Sequence, residues 1–140
     1  MHANRGIRRQ ALQLLCQFDA GNEESADIAL QAIEEGDAAA PSTSEDALSL
    51  ARDAWSSRQR YDELISARTP QWPTHRQPLV DRNLLRLCCH EMLTGRTPPR
   101  VVINEAVELA REFSTDRSPS FVNGVLDRIY HDMDDAPGES

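Results

Sequence analysis

Cys88, Cys89, His90 and Glu91 stand side by side and include the side chains that most often bind a transition metal. Their spacing defeats that use. On a helix, four consecutive side chains point about 100° apart and cannot converge on one ion. No His-Glu-x-x-His or Cys-x-x-Cys motif stands elsewhere, so no metal site is expected, and Cys88 and Cys89 read as small core residues. Nucleophilic and phosphate chemistry fare no better. The chain lacks a Gly-x-Ser-x-Gly elbow and a glycine-rich phosphate loop. Glu105, Glu108 and Glu112 read as a solvated helix face with Arg111. These residues suggest neither an enzyme nor a cofactor.

Arginines and one phenylalanine are better candidates. Arg5, Arg8 and Arg9 lie at i, i+3 and i+4, a spacing that puts three guanidinium groups on one face of a first helix. Such a face can meet successive phosphates or stack on bases, or it can simply solubilise a helix start. Phe121 falls in the first turn of the last helix, after Arg117 and before Asn123-Gly124. An aromatic ring beside an arginine at a helix start can serve as a nucleobase platform. Phe121 also lies at the edge of the stripe Val122, Val125, Leu126 and Ile129, where it can equally be core. Asn123 can hydrogen-bond RNA or brace the turn.

Helical elements must carry these residues. The first helix is expected from about Arg5 to Ala20, burying Ile7, Ala11, Leu14, Leu15 and Phe18, with Gly21-Asn22 ending it. A second is expected from about Ser25 to Glu35, followed by a small, polar loop from Gly36 to Ser44. Thr43, three residues before Asp46, signals a cap for a third helical region that reaches about Ala67. Its polar run Ser56-Ser57-Arg58-Gln59-Arg60 is a candidate break.

Thr69 to Pro78, with three prolines and Trp72, reads as an ordered connection. Pro78 to Leu93 is the most apolar segment and the expected central helix, ended by Gly95. Pro98-Pro99 opens the next helix, whose Val102, Ile103, Ala106, Val107, Leu109, Ala110 and Phe113 recur at helical spacing. Asn104 and Glu105, near its start, can pair with free N–H groups. Ser118 is placed to cap the last helix and Pro119 to start it. The acidic Gly/Pro-containing segment 133–140 is expected to be a disordered tail on a single domain of residues 1–132.

Composition sets the outer limits. Helix formers dominate the 140 residues and no alternating strand pattern stands out, so the expected fold is all-α. Three cysteines at spacings that build no framework, no secretory h-region and no bilayer-length apolar run point to a reduced, cytoplasmic protein. The formal charge of −8 argues against nucleic acid at first sight, because phosphate contacts need local positive potential. Residues 1–18, however, carry three arginines and no acid, and every basic Lys/Arg position in the chain is arginine. Arginine offers bidentate phosphate contacts and stacking. RNA binding by so acidic a chain should be weak and salt-dependent unless a basic partner completes the site.

The phrases VINEAVELAREF (102–113) and FVNGVLDRI (121–129) closely resemble the C-terminal signature of the NusB family. The arginine-bearing segment Arg8-Arg9-Gln10-Ala11 supports the likeness, as does Asp81-Arg82-Asn83-Leu84-Leu85-Arg86-Leu87 leading into His90-Glu91-Met92-Leu93. The resemblance spans residues 5–130 and is weak from 20 to 77. It implies two small helical bundles packed together, about seven helices in all. It also implies transcription antitermination: binding of single-stranded boxA in nascent ribosomal RNA together with NusE, a ribosomal small-subunit protein, within the RNA polymerase antitermination complex. By the same likeness Arg5, Arg8, Arg9 and Phe121 contact RNA, with Arg117 and Asn123 beside them, and Asp81 helps hold NusE. A dipole role at a helix start is an adequate structural reason for Asp81 as well. Two rival expectations remain, an RNA-binding domain of a ribosomal RNA cytosine methyltransferase and a protein-interaction module without RNA binding. The first would make this chain a fragment, since it carries no cofactor-binding βαβ unit.

Overall fold

The structure, a computed structural model, describes residues 4–22 and 41–134. The helix expected over 25–35, the loop residues 36–40 and the tail residues 135–140 lie outside the described residues. Six α-helices and no strands are found among those described: α1 (Arg5–Gln17), α2 (Pro41–Ser56), α3 (Arg58–Ser66), α4 (Leu79–Leu93), α5 (Pro99–Phe113) and α6 (Ser118–Asp134). A π-helical turn, Phe18–Asn22, follows α1, and a 3-10 turn, Thr74–Arg76, precedes α4.

Local signals account for most of these boundaries. Asn4 caps α1, its side chain accepting the Ile7 N–H at 2.9 Å. Gly21 kinks the π turn from within at φ +97°, a conformation costly for a side chain with a Cβ. Proline opens α2 at Pro41, two residues before Thr43, so Thr43 lies inside the first turn instead of capping it. The polar run breaks the third helical region at Ser57, as its composition suggests, and Arg58 turns back over the Trp55 ring at 4.0 Å. Gly95, at φ +70°, follows α4, and Pro99 opens α5. The last helix continues through Met133 to Asp134, past the expected start of the tail.

The connection between α3 and α4 is indeed ordered. The Trp72 N–H donates to the Thr69 carbonyl at 3.0 Å and its indole Nε1–H to the Arg76 carbonyl at 3.2 Å. Gln77 Nε2 donates to the Trp72 carbonyl at 2.9 Å.

The central helix is α4, which packs against every other α-helix described. Residues 83–92 are all buried. On one side α1 pairs with α2, and on the other α5 pairs with α6. Leu14, Leu15, Leu50, Leu84, Leu85, Leu87, Leu109 and Leu126 form the shared core. A helix buried all round must place its polar side chains against partners, and α4 does so. Arg86 donates to Asp62 at 2.7 and 2.8 Å and to Asp19 at 3.0 Å, while Asn83 Nδ2 donates to Asp19 at 2.8 Å. Arg82 joins Asp19 too, so the π turn and α3 are both tied to α4.

The Cys88–Glu91 quartet disperses as helical geometry requires. Cys88 and Cys89 are buried thiols whose pKa burial pushes up, to about 12 for Cys89. His90 Nδ1 meets the Tyr61 hydroxyl at 2.7 Å, and Glu91 pairs with α1.

Candidate nucleic-acid interface

The three α1 arginines do not share a face. Arg8 stands four residues before Leu12 and seven before Leu15, both buried, and so sits inside the apolar stripe. It is 2% exposed. Its Nε–H is shared between the two Glu91 carboxylate oxygens at 3.0 and 2.9 Å, and Nη2 donates to Thr97 Oγ1 at 3.2 Å. With every approach covered, Arg8 cannot reach a phosphate in this fold. The expectation that it contacts RNA is therefore corrected: Arg8 joins α1 to the central helix.

Arg5 and Arg9, one turn apart, do face outward, and α5 meets them with carboxylates. Arg5 donates to both oxygens of Glu105 at 2.8 and 3.0 Å, and Arg9 lies 3.1 Å from Glu112. Arg111 pairs with Glu108 on the same helix. Hydrogen bonds from Arg5 hold the Glu105 carboxyl below its usual range, against a smaller opposing effect of its own burial. Glu105 and Glu112, which sequence spacing assigns to a solvated face, are thus half of a cross-helix ladder, while Glu108 pairs within α5. Glu105 serves Arg5 rather than the helix N–H groups, and Asn104 is exposed.

A groove of about 770 Å³ runs between these helices and α6. Arg5, Asn104, Glu105 and Glu108 line one wall, Ser120 and Asn123 the other. Here the fold brings together Arg5 and Asn123, which lie at opposite ends of the chain. Asn123 is exposed, which leaves its amide open to a ligand. Arg117 is also exposed, and no carboxylate among the described residues pairs with it. Phe121 is half-buried and turns to the other side of α6, where its ring packs on Trp72 at 4.5 Å between centroids. It is neither pure core nor a free platform. Sequence spacing had not singled out Trp72, because its partner lies in a different element.

Asp81 does not lie on a surface. It is completely buried in the first turn of α4, where its carboxylate accepts the Ser118 hydroxyl at 2.9 Å and the Ser114 hydroxyl as well. The Ser118 hydroxyl in turn accepts the Thr115 N–H at 3.2 Å. Ser118 therefore braces the α5–α6 connection instead of capping α6 in the ordinary way. Direct contact between Asp81 and a partner is corrected accordingly: the carboxylate pins that connection to the central helix.

The described residues contain no helix long and apolar enough to cross a membrane. Chemically, the α1–α5–α6 surface offers guanidinium groups, carboxylates and amides.

Comparison with known proteins agrees with this architecture. The NusB family model matches residues 5–131. The transcription antitermination protein NusB of Streptomyces coelicolor is 38% identical over 135 residues, covering 92% of this chain and 93% of that protein. Its Streptomyces avermitilis counterpart is 40% identical over 132 residues, with 92% of each chain covered. Among solved structures, T. maritima NusB superposes with a TM-score of 0.78 at 33% identity, over 94% of this chain and 93% of that one. A chain from a complex of the antitermination factors NusB and NusE with double-stranded RNA gives 0.76 at 26% identity, over 91% and 95%. Since helix order, the two phrases on α5 and α6, and full-length relatives all agree, this chain belongs to the NusB family.

Proposed function

We propose that this protein is a transcription antitermination factor that binds boxA of nascent ribosomal RNA together with NusE and promotes transcription of ribosomal RNA operons as part of the RNA polymerase antitermination complex. The observation that carries the proposal is the α1–α5–α6 groove, where Arg5 and Asn123 face each other and are open to solvent, with the exposed Arg117 at the start of α6. The likeness to a NusB chain solved with NusE and RNA supports it. The work is recognition in the cytoplasm, without chemical turnover. Arg5, Arg9 and Arg117 engage phosphates, Asn123 offers its amide, and the Phe121 region takes a base. Single-stranded RNA suits such a surface because its unstacked bases can reach aromatic and guanidinium planes.

The ladder of Arg5–Glu105 and Arg9–Glu112 pairs gives the partner a role. Both outward arginines of α1 already hold a carboxylate, so RNA alone must displace it. A basic protein such as NusE complements a chain of formal charge −8 and supplies the positive surface that this one lacks. Titration of single-stranded boxA RNA at low salt, with and without NusE, tests the proposal. The expected result is weak binding alone and tight binding in the mixture. Absence of binding in both would leave a protein-interaction module and end the antitermination assignment.

A further inference from the structure

Two polar contacts, one turn apart on the same face of α4, hold α3 to the central helix. At the first, Arg86 meets Asp62 with the pair of hydrogen bonds described above. At the second, His90 Nδ1 meets the Tyr61 hydroxyl at 2.7 Å, with the two rings edge-on and their centroids 5.8 Å apart. Both partners of this second contact are buried, Tyr61 at 2% exposed and His90 at 5%. The two contacts respond differently to protons. Arginine keeps its charge at any ordinary pH, whereas histidine changes its charge between about pH 5 and 8. The other ring nitrogen of His90, Nε2, is buried without a hydrogen-bond partner. A neutral imidazole tolerates that site, because one bond to Tyr61 satisfies Nδ1 in either tautomer. An imidazolium does not. Both of its nitrogens are donors, so Nε2–H brings charge into a covered site without an acceptor, and the Tyr61 hydroxyl must turn its own hydrogen away.

We infer that the Tyr61–His90 contact is a proton-operated latch, which holds α3 to the central helix and releases it when His90 takes up a proton. The neighbouring groups do not compensate a charged ring. Asp53 of α2 is the carboxylate that would favour it, but Arg96 of the α4–α5 connection already holds Asp53 at 3.1 Å. Burial, with the charge of Arg96 behind it, outweighs Asp53 and keeps the ring's pKa below 6.5. On α4 itself, Cys89 is a buried thiol and Glu91 is bound by Arg8 of α1. The buried residues described on α5 and α6 include no titratable side chain. A protonated ring therefore gains water only when α3 lifts away. Release reaches beyond α3. The Ser66 and Thr74 hydroxyls bond at 3.0 Å, and Thr69 Oγ1 donates to the Ile65 carbonyl at 2.9 Å. The α3–α4 connection is thus tied to the end of α3, and it carries the Trp72 ring that packs on Phe121. The latch stands whatever ligand the α6 surface takes.

Amide hydrogen exchange on the full chain tests the latch, compared at about pH 8 and about pH 5 after correction for the intrinsic pH dependence of exchange. Protection over residues 58–78 should fall about tenfold on acidification, the factor set by a tenfold difference in the ring's proton affinity between latched and released states. The α5–α6 pair should keep its protection. His90→Gln retains an acceptor for the Tyr61 hydroxyl but takes up no proton, so it should protect α3 equally at both pH values. Two substitutions at the partly exposed Arg96–Asp53 pair keep the test open if His90→Gln fails to fold. Arg96→Gln removes the repelling charge and should move the release to higher pH, whereas Asp53→Asn should move it to lower pH. Equal protection of α3 at both pH values in the wild-type protein would overturn the latch. So would a fall that persists in His90→Gln, a loss spread evenly over all helices, or a release midpoint that neither Arg96→Gln nor Asp53→Asn moves.

Discussion

Arg8 and Glu91, 83 residues apart in the chain, form an ion pair inside the core, with the two side chains 3% and 0% exposed. The pair joins the first helix to the central one beneath the outward-facing Arg5 and Arg9. Two buried charges stabilise little beyond their own desolvation, but either one left alone is costly. Arg8→Ala should therefore destabilise the fold by about 3–5 kcal/mol, read from urea denaturation. Arg8→Met combined with Glu91→Leu should recover most of that loss. A fully stable Arg8→Ala variant with impaired RNA binding would instead return Arg8 to the interface.

Asp81 should also behave as a structural residue. Asp81→Ala leaves the Ser114 and Ser118 hydroxyls without their buried acceptor and should cost about 1–3 kcal/mol. The α5–α6 connection, which carries Arg117, should loosen first. Hydrogen exchange over residues 114–118 is the measurement, with faster exchange there expected before any change in the α1–α2 pair. Uniform exchange across the molecule would count against the pinning role.

The Arg–Glu ladder should restrain RNA binding. Glu105→Gln with Glu112→Gln frees Arg5 and Arg9 for phosphate and should raise affinity for boxA RNA roughly threefold to tenfold at low salt. The gain should shrink when NusE is present, and melting temperature should change little because exposed pairs contribute little. Equal or weaker RNA binding by the double variant would show that the glutamates do not compete.

Stability should fall in two steps on acidification. Burial lowers the His90 pKa from 6.5, with the charge of Arg96 adding to the effect, so the unfolded chain takes up that proton more readily. His90's contribution is full above about 6.5 and is lost as pH drops through that value toward the folded pKa. Asp19 responds in more acidic solution. Burial alone would raise its pKa, but hydrogen bonds from Arg82 and Asn83 and the charge of Arg86 outweigh it and hold the carboxyl below 3.8. Its contribution is present above that value and disappears as pH falls through the folded pKa. Denaturant midpoints measured from pH 8 to 3 should show both steps, and His90→Phe should remove the first.

Much of the helical layout was legible in one dimension because its causes are local. Apolar spacing located α4, α5 and α6, and Gly21, Gly95 and Pro99 marked boundaries through their own backbone preferences. Thr43 misled because Pro41 offers an earlier start. For the candidate site, spacing could nominate Arg5, Arg9, Arg117, Phe121 and Asn123 by residue type and helix position. It could not separate Arg8 from its neighbours, since the reason for burying Arg8 is a glutamate on another helix.

Local residue patterns suffice for most of the described helices and, through two phrases on α5 and α6, for the family. Which charged groups are available depends on helix packing. Packing places Arg8 and Asp81 inside, sets Glu105 and Glu112 against Arg5 and Arg9, and brings Trp72 to Phe121. Helix formation depends on residues a few positions apart, whereas desolvation and ion pairing depend on whatever the packed helices bring alongside.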